Sequence, residues 1–195
     1  MAKYDEFMKR VLRLVPGDFA KWLMPGLDFQ QAKISFEDRE FEVIHKRLDT
    51  LLKLESPRDT NYLHIEFQGE PEDGFLERMM FYNVRIYSEF RKPVQTVVIF
   101  LQASKKIKEL PSMLSYGIEE KECLRFSYEK IILPEISAES LIESKIAGLL
   151  TLVPLGKIEE GKAEKILNQT AMEIEKLPLE QKRELGYGIL RSLRV

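Results

Sequence analysis

An α/β fold is predicted by three features of the sequence. Residues 62–68 alternate between apolar and polar side chains, as a strand with one apolar face does. Residues 94–103 form a nearly continuous apolar run, which is typical of a strand buried on both faces and central in a mixed sheet. Between these two segments, apolar residues recur at helical spacing: Phe75, Met79, Tyr82, Ile86 and Phe90.

Two helices are predicted at the start of the chain. Apolar residues at helical spacing run from Tyr4 to Val15, and the following Pro16 and Gly17 end this amphipathic segment. Asp18 can cap a second, short helix, which ends before Pro25. The chain is therefore expected to begin with two helices.

The period of the pattern changes at Lys33. Strands are predicted over residues 33–36 and 41–54, on either side of a polar turn at 37–40. Asp49 and Lys53 would share the more polar face of the second strand. The sequence thus predicts two strands before the alternating strand at residues 62–68.

The last third of the chain is predicted to be mainly helical. A strand is expected over residues 123–133, and everything beyond Pro134 has helical periodicity. We therefore divide the chain into a domain of residues 1–134 and a helical C-terminal extension of residues 135–195. The extension carries three apolar stripes: Leu141, Ile142, Ile146, Leu149 and Leu150; Ala163, Ile166, Leu167, Thr170, Ile174 and Leu177; and Leu185, Ile189 and Leu193.

Composition narrows the function classes. The 195 residues carry a net charge of −2, which argues against a protein that is basic over its whole surface. Cys123 is the single cysteine, so neither an intrachain disulfide nor a thiolate zinc site is expected. The sequence has no signal peptide and no apolar run long enough to span a membrane, and a cytoplasmic location is expected.

One polar pair lies at the end of the alternating strand. Strand geometry places the side chains of Glu66 and Gln68 on the same face, roughly 7 Å apart. The turn-forming residues 69–74 follow immediately, so the pair lies at the carboxyl end of its strand. Ligands in α/β folds often bind at this edge of the sheet. Glu66 and Gln68 are therefore candidate site residues.

The order of these elements carries a family resemblance. The chain resembles the PD-(D/E)xK nuclease superfamily, and within it the transposase-related and recombination-promoting branch. The resemblance covers residues 1 to about 103. The stretches that carry it are Asp5–Lys9, Arg47–Leu52, Ile65–Pro71 and Glu77–Tyr87.

The resemblance implies both a fold and an activity. The fold is a restriction-endonuclease-like core of a helix, three strands, a helix and a strand, and the activity is metal-dependent cleavage of DNA. Its cofactor is Mg²⁺ or Mn²⁺, held by the carboxylates of Asp49 and Glu66 and by the main-chain carbonyl of Phe67. Asp5 on the first helix is a further candidate, as a fourth ligand or to orient a water molecule.

The sequence departs from the family pattern at one position. Gln68 lies where the family usually has a lysine that stabilises the nucleophile or the transition state. A neutral amide can orient water but supplies no positive charge, so Lys53 is a candidate replacement. Arg78, Tyr82 and Arg85 lie at helical spacing and are candidates to contact a nucleic-acid phosphate or to steady the acids.

Other interpretations of the same residues remain open. Asp49 and Glu66 are also consistent with solvated charges on a half-exposed sheet, and His45 and His64 with ordinary sheet residues. A nuclease fold that binds nucleic acid without turnover would fit Gln68. Alternatively, residues 135–195 could serve self-association. For a nuclease that cuts duplex DNA, a homodimer is the expected state, since two symmetric sites cut two strands.

Overall fold

A computed structural model describes residues 2–26, 29–30, 33–37, 48–118, 121–179, 181–182 and 185. The α-helices are α1 (Ala2–Leu14), α2 (Pro16–Leu23), α3 (Phe75–Phe90), α4 (Lys105–Glu109), α5 (Ala138–Glu143) and α6 (Ala163–Glu175). The strands are β1 (Lys33–Phe36), β2 (Thr50–Glu55), β3 (Thr60–Gln68), β4 (Val94–Phe100), β5 (Met113–Ile118), β6 (Lys121–Ser127) and β7 (Glu129–Ile132). Two 3-10 helices span Leu133–Glu135 and Ala147–Leu155.

Packing divides the chain into two compact units. The helical unit comprises Met1–Gly26, Leu101–Ala103 and Ile132–Val195. The sheet unit comprises Leu27–Phe100 and Ser104–Ile131. The candidate residues of β2, β3 and α3 therefore lie in the sheet unit, and Asp5 lies in the helical unit.

The sheet unit is built on a five-stranded mixed sheet. Its strand order is β1-β2-β3-β4-β7; β2 is antiparallel to both of its neighbours, β1 and β3, and β4 is parallel to β3. Helix α3 connects the parallel pair, as a crossover between parallel strands requires. The predicted α/β class is confirmed, and so is the interior position of the apolar strand β4.

The strand predicted over residues 123–133 is interrupted in the structure. β6 pairs with β5 in a separate two-stranded sheet, whereas β7 joins the five-stranded sheet. Tyr128 lies between the two strands, where its backbone N–H donates to Ser112 and its hydroxyl donates to the carbonyl of Pro111. These bonds turn the chain, so a single alternating pattern belongs to two sheets.

The helical unit is arranged around the 3-10 helix Ala147–Leu155. This segment packs against α1, α2, α5 and α6, and its residues from Gly148 to Val153 are buried. A continuous helix through the stripe Leu141–Leu150 was expected, but α5 ends at Glu143. Lys145 has a left-handed backbone with φ of 56°, which an α-helix does not accommodate. The predicted second stripe forms α6.

The N-terminal helices pack against the 3-10 helix Ala147–Leu155, and a hydrogen bond links the two segments. The Gly148 N–H donates to the carboxylate of Asp18 over 3.0 Å. The division expected at residue 134 lies close to the observed boundary at Ile132. The observed grouping differs in that α1 and α2 belong with the residues from Ile132 onward, where both helices pack against the 3-10 helix Ala147–Leu155.

Gly148→Ala is expected to destabilise the helical unit by about 1–3 kcal/mol. A Cβ atom at this position would lie 2.7 Å from Cγ2 of Val15 and 3.2 Å from Cε2 of Phe19, so the neighbouring side chains must move. Denaturant-induced unfolding measures the loss. Gly26→Ala is the matched control, because nothing lies within 4 Å of the Cβ it introduces. Equal stability of both variants would contradict the proposed close packing.

Some predicted features lie outside the described residues. These include most of the strand expected before Asp49, with His45, and most of the last helical stripe, with Ile189 and Leu193. Within the described ranges, no helix combines the length and the apolar character needed to cross a membrane.

Candidate functional site

One face of β3 carries the candidate residues, and α3 packs on that face. Tyr62 stacks on Phe90 with a centroid separation of 4.2 Å, and His64 meets Tyr82 edge-on at 5.6 Å. Because side chains alternate along a strand, Glu66 projects to the same side as Tyr62 and His64. The predicted separation of polar and apolar faces is therefore what the structure has, but the polar face lies beneath a helix.

Asp49 lies beside Glu66, at the start of the neighbouring strand. The register pairs Thr50 with Ile65 in antiparallel strands. Asp49, which precedes Thr50, is therefore next to Glu66, which follows Ile65. The Phe67 N–H donates to Oδ2 of Asp49 over 3.1 Å. The prediction that Asp49 lies within its strand is wrong: β2 begins at Thr50, because the aspartate side chain takes a backbone donor that further pairing would use.

Glu66 is a buried carboxylate. The residue is 4% exposed, and its Oε2 atom has no hydrogen-bond partner among the described residues. The side chain that faces this oxygen is His64, whose Nε2 atom lies 3.5 Å away. That nitrogen also has no hydrogen-bond partner in the described part of the chain. Burying a carboxylate is costly unless a donor or a cation compensates it, so this position is a candidate site.

The other nitrogen of His64 contacts a short polar chain. Its Nδ1 atom lies 3.4 Å from the hydroxyl of Thr96 on β4. The same hydroxyl accepts a hydrogen bond from Nδ2 of Asn83, which also donates to the carbonyl of Val94. Two strands and α3 therefore fix the position of the imidazole ring.

Tyr82 is 3% exposed and interacts electrostatically with the carboxylates of Glu66 and Asp49. Burial raises the pKa of its hydroxyl most, the negative charges of Glu66, Asp49 and Glu72 raise it further, and Arg78 lowers it. The hydroxyl is buried and has no hydrogen-bond partner among the residues described. This burial argues against the predicted contact of Tyr82 with a nucleic-acid phosphate and favours the other predicted role, beside the acids.

Tyr82→Phe is expected to leave the protein as stable as the parent or more stable by about 1 kcal/mol. The change removes a buried hydroxyl that makes no hydrogen bond. Tyr128→Phe is the matched control, because it removes a hydroxyl that donates to Pro111 over 3.0 Å and should lose about 1 kcal/mol. Thermal unfolding of both variants measures the difference. An equal loss in both would mean that the Tyr82 hydroxyl has a partner.

Gln68 is held in place through both ends of its amide. Its Nε2 atom donates to the carbonyl of Glu70 over 2.8 Å, and its Oε1 atom accepts from Nη2 of Arg78 over 3.2 Å. The Arg78 guanidinium also lies 5.5 Å from the centre of the Phe75 ring. A cation from α3 thus reaches the position that is lysine in the family pattern.

Lys53 has a different environment from the one predicted. Its Nζ atom lies 2.9 Å from the carboxylate of Glu55, two residues further along β2, and the Glu55 hydrogen bond raises the pKa of Lys53. Its charge is therefore paired within its own strand. The role of Lys53 as the replacement for the missing lysine gains no support from this arrangement.

The remaining predicted residues are placed as follows. Phe67 is buried in β3, and Arg85 lies on α3, two turns after Arg78. Asp5 lies in α1, outside the sheet unit, and its side chain is not among those described. A metal role for Asp5 and a phosphate contact by Arg85 therefore stay predictions.

The residues present fit a small oxygen-ligand cation site. Among the described residues, no three side chains of His, Cys, Asp and Glu form a metal-binding group. Mg²⁺ does not require three, because it keeps several waters and is often bound by one or two carboxylates. The carboxylates of Glu66 and of Asp49, which immediately precedes the adjacent strand, form such a donor pair.

Sequence reasoning missed Asn83 and Thr96 and assigned His64 no role. Asn83 lies outside the apolar stripe of α3, and Thr96 is one polar residue inside an apolar run. A single buried threonine in such a run is the one signal that could have drawn attention to this network. Comparisons of the chain with protein-family models, with curated proteins and with solved structures found no match, so the family resemblance stays a prediction from this sequence.

Proposed function

We propose that the chain is a Mg²⁺- or Mn²⁺-dependent DNA endonuclease with a restriction-endonuclease-like core, acting in the cytoplasm as a homodimer. The observation that carries the proposal is the buried carboxylate of Glu66 next to Asp49, which immediately precedes the adjacent strand β2. Two carboxylates held side by side, one of them buried, supply the oxygen ligands that a divalent cation prefers. The order of Asp49, Glu66 and the surrounding helices and strands along the chain supports membership of the PD-(D/E)xK nuclease superfamily, to which this chemistry belongs.

The proposed roles follow from the contacts of each side chain. Asp49 and Glu66 would hold the cation, and the Phe67 N–H orients the Asp49 carboxylate. When bound there, Mg²⁺ or Mn²⁺ would supply a water of lowered pKa and positive charge next to the phosphate. Arg78 supplies a positive charge near the reacting phosphate, and Gln68 positions its guanidinium.

Cleavage of supercoiled plasmid tests this proposal. The parent should nick or linearise DNA with Mg²⁺ or Mn²⁺ and not with EDTA. Asp49→Asn should lower the rate by more than about 100-fold, because even residues that only support metal ligands are commonly worth 10–100-fold. Circular dichroism of the variant shows whether the fold is kept. Equal cleavage by the parent and by Asp49→Asn, purified in the same way, would assign the activity to a contaminant.

A second function is favoured by one observation. Both ends of the Gln68 amide are engaged by Glu70 and Arg78, and no lysine takes its place in the described β3 segment. A nuclease fold that binds DNA without turnover would have such a site. Binding of DNA and Mn²⁺ by the parent with no cleavage under any metal would select this function.

A further inference from the structure

The buried pair of His64 and Glu66 requires an explanation of its own. His64 is 0% exposed and Glu66 is 4% exposed, and the two facing atoms, Nε2 and Oε2, have no other hydrogen-bond partner among the described residues. Buried polar atoms in folded proteins are nearly always paired, so an uncompensated pair marks a strained or functional contact. Which of the two imidazole nitrogens carries the hydrogen decides what the contact is.

The neighbours of His64 determine that hydrogen. The Val94 carbonyl can only accept, so the Asn83 atom bonded to it is the amide nitrogen, a donor. The same nitrogen therefore donates to the Thr96 hydroxyl over 3.0 Å, and the hydroxyl keeps its own hydrogen to donate. Nδ1 of His64, 3.4 Å away, can accept that hydrogen when it carries none of its own. A ring that accepts at Nδ1 carries its hydrogen on Nε2, facing Glu66.

We infer that His64 is a positioning residue for Glu66: the chain from Asn83 through Thr96 holds the imidazole in the Nε2–H form, which donates to Oε2 of Glu66. The 3.5 Å separation exceeds an ordinary hydrogen bond by a few tenths of an ångström, a gap that a small ring rotation closes. One carboxylate oxygen is then fixed, and the other is directed to the cation. The cation part of this inference rests on the proposed function; the tautomer part does not.

The tautomer can be read from the ¹⁵N chemical shifts of labelled histidines at about pH 8, where an ordinary histidine is neutral. The chain has only two histidines, so His45→Gln assigns both. The expected result is the Nε2–H form for His64 in the parent, and a mixture of forms in Thr96→Val, which keeps the volume and removes the hydroxyl. The Nδ1–H form in the parent would overturn the inference whatever the protein does.

Mn²⁺ titration by calorimetry tests the effect on the carboxylate. His64→Leu removes the donor and should weaken Mn²⁺ binding by about 10–100-fold, whereas His64→Gln can donate from its amide and should recover most of the affinity. Thr96→Val should lose affinity to an intermediate degree. Thr170→Val is the control, since Thr170 is equally buried but its hydroxyl bonds only within α6, to Ile166; its affinity should equal that of the parent.

The outcomes separate the two proposals. Affinity unchanged in His64→Leu while Asp49→Asn loses it would overturn the positioning role and leave the nuclease proposal standing. No Mn²⁺ binding by the parent, with the expected tautomer present, would overturn the nuclease proposal and the cation part of this inference with it. Loss in His64→Leu, recovery in His64→Gln and no change in Thr170→Val is the result that we expect.

Discussion

Glu66→Gln is expected to abolish metal-dependent cleavage and at the same time to leave the fold at least as stable as the parent. The side chain keeps its size, so packing beneath α3 is unchanged. The substitution replaces a buried carboxylate oxygen that has no hydrogen-bond partner in the described structure by a neutral amide. A neutral amide avoids the cost of burying a charge, and its oxygen can still accept from His64, so the free energy of unfolding should not fall. A neutral amide is also a poor ligand for Mg²⁺, so metal binding should be lost.

Two measurements on the same protein check this prediction. Thermal unfolding without metal should give Glu66→Gln a melting temperature equal to that of the parent or higher, and added Mn²⁺ should raise only that of the parent. Glu129→Gln is a suitable control, because this carboxylate is exposed on β7 and bonded to Gln95. A less stable Glu66→Gln variant that still cuts DNA would show that the carboxylate is structural.

Periodicity predicted the strand of the site but not its burial. The alternation in β3 correctly separates His64 and Glu66 from Ile65, since the period of two is fixed by backbone geometry. It does not indicate what covers each face. The polar face is covered by Tyr82 of α3, which contacts His64. In the sequence, Tyr82 belongs to the apolar stripe of that helix. Burial of the polar face arises from tertiary packing, on which a local pattern has no direct effect.

Local hydrogen bonds explain where the predicted elements ended differently. Asp49, inside the strand predicted over residues 41–54, accepts the Phe67 N–H with its side chain, and β2 begins after it at Thr50. Lys145 adopts a left-handed conformation, and Ser144 bonds to its neighbours Leu141 and Ile146, so a helical stripe is divided into α5 and a 3-10 helix. In both places one or two side-chain bonds outweigh a weak helix or strand preference, and such competition is invisible to periodicity.

Arg78→Met is expected to lower cleavage by about 100- to 1,000-fold, the loss typical when a preorganised group that stabilises transition-state charge is removed. Methionine keeps an unbranched apolar stem against Phe75, so the packing of α3 should survive. The rate constant at saturating DNA and the affinity for DNA are measured separately. A role at the reacting phosphate lowers the rate constant, whereas simple attraction of DNA would lower only the affinity.

A substitution on the neighbouring strand tests whether the charge itself is what matters. Gln68 accepts the Arg78 hydrogen bond, so Gln68→Lys in the Arg78→Met background returns a cation to nearly the same place, and cleavage should recover by at least about 10-fold. In the parent background Gln68→Lys should give little gain, because the ammonium would lie close to the guanidinium and be repelled by it. Lys53→Ala is the control, since that charge is paired with Glu55 and should not affect the rate. Recovery of cleavage would mean that the site needs a positive charge and not an arginine in particular. An inactive double variant with a normal fold would mean that Arg78 acts through its two-pronged geometry, and a strong defect in Lys53→Ala would transfer the role to β2.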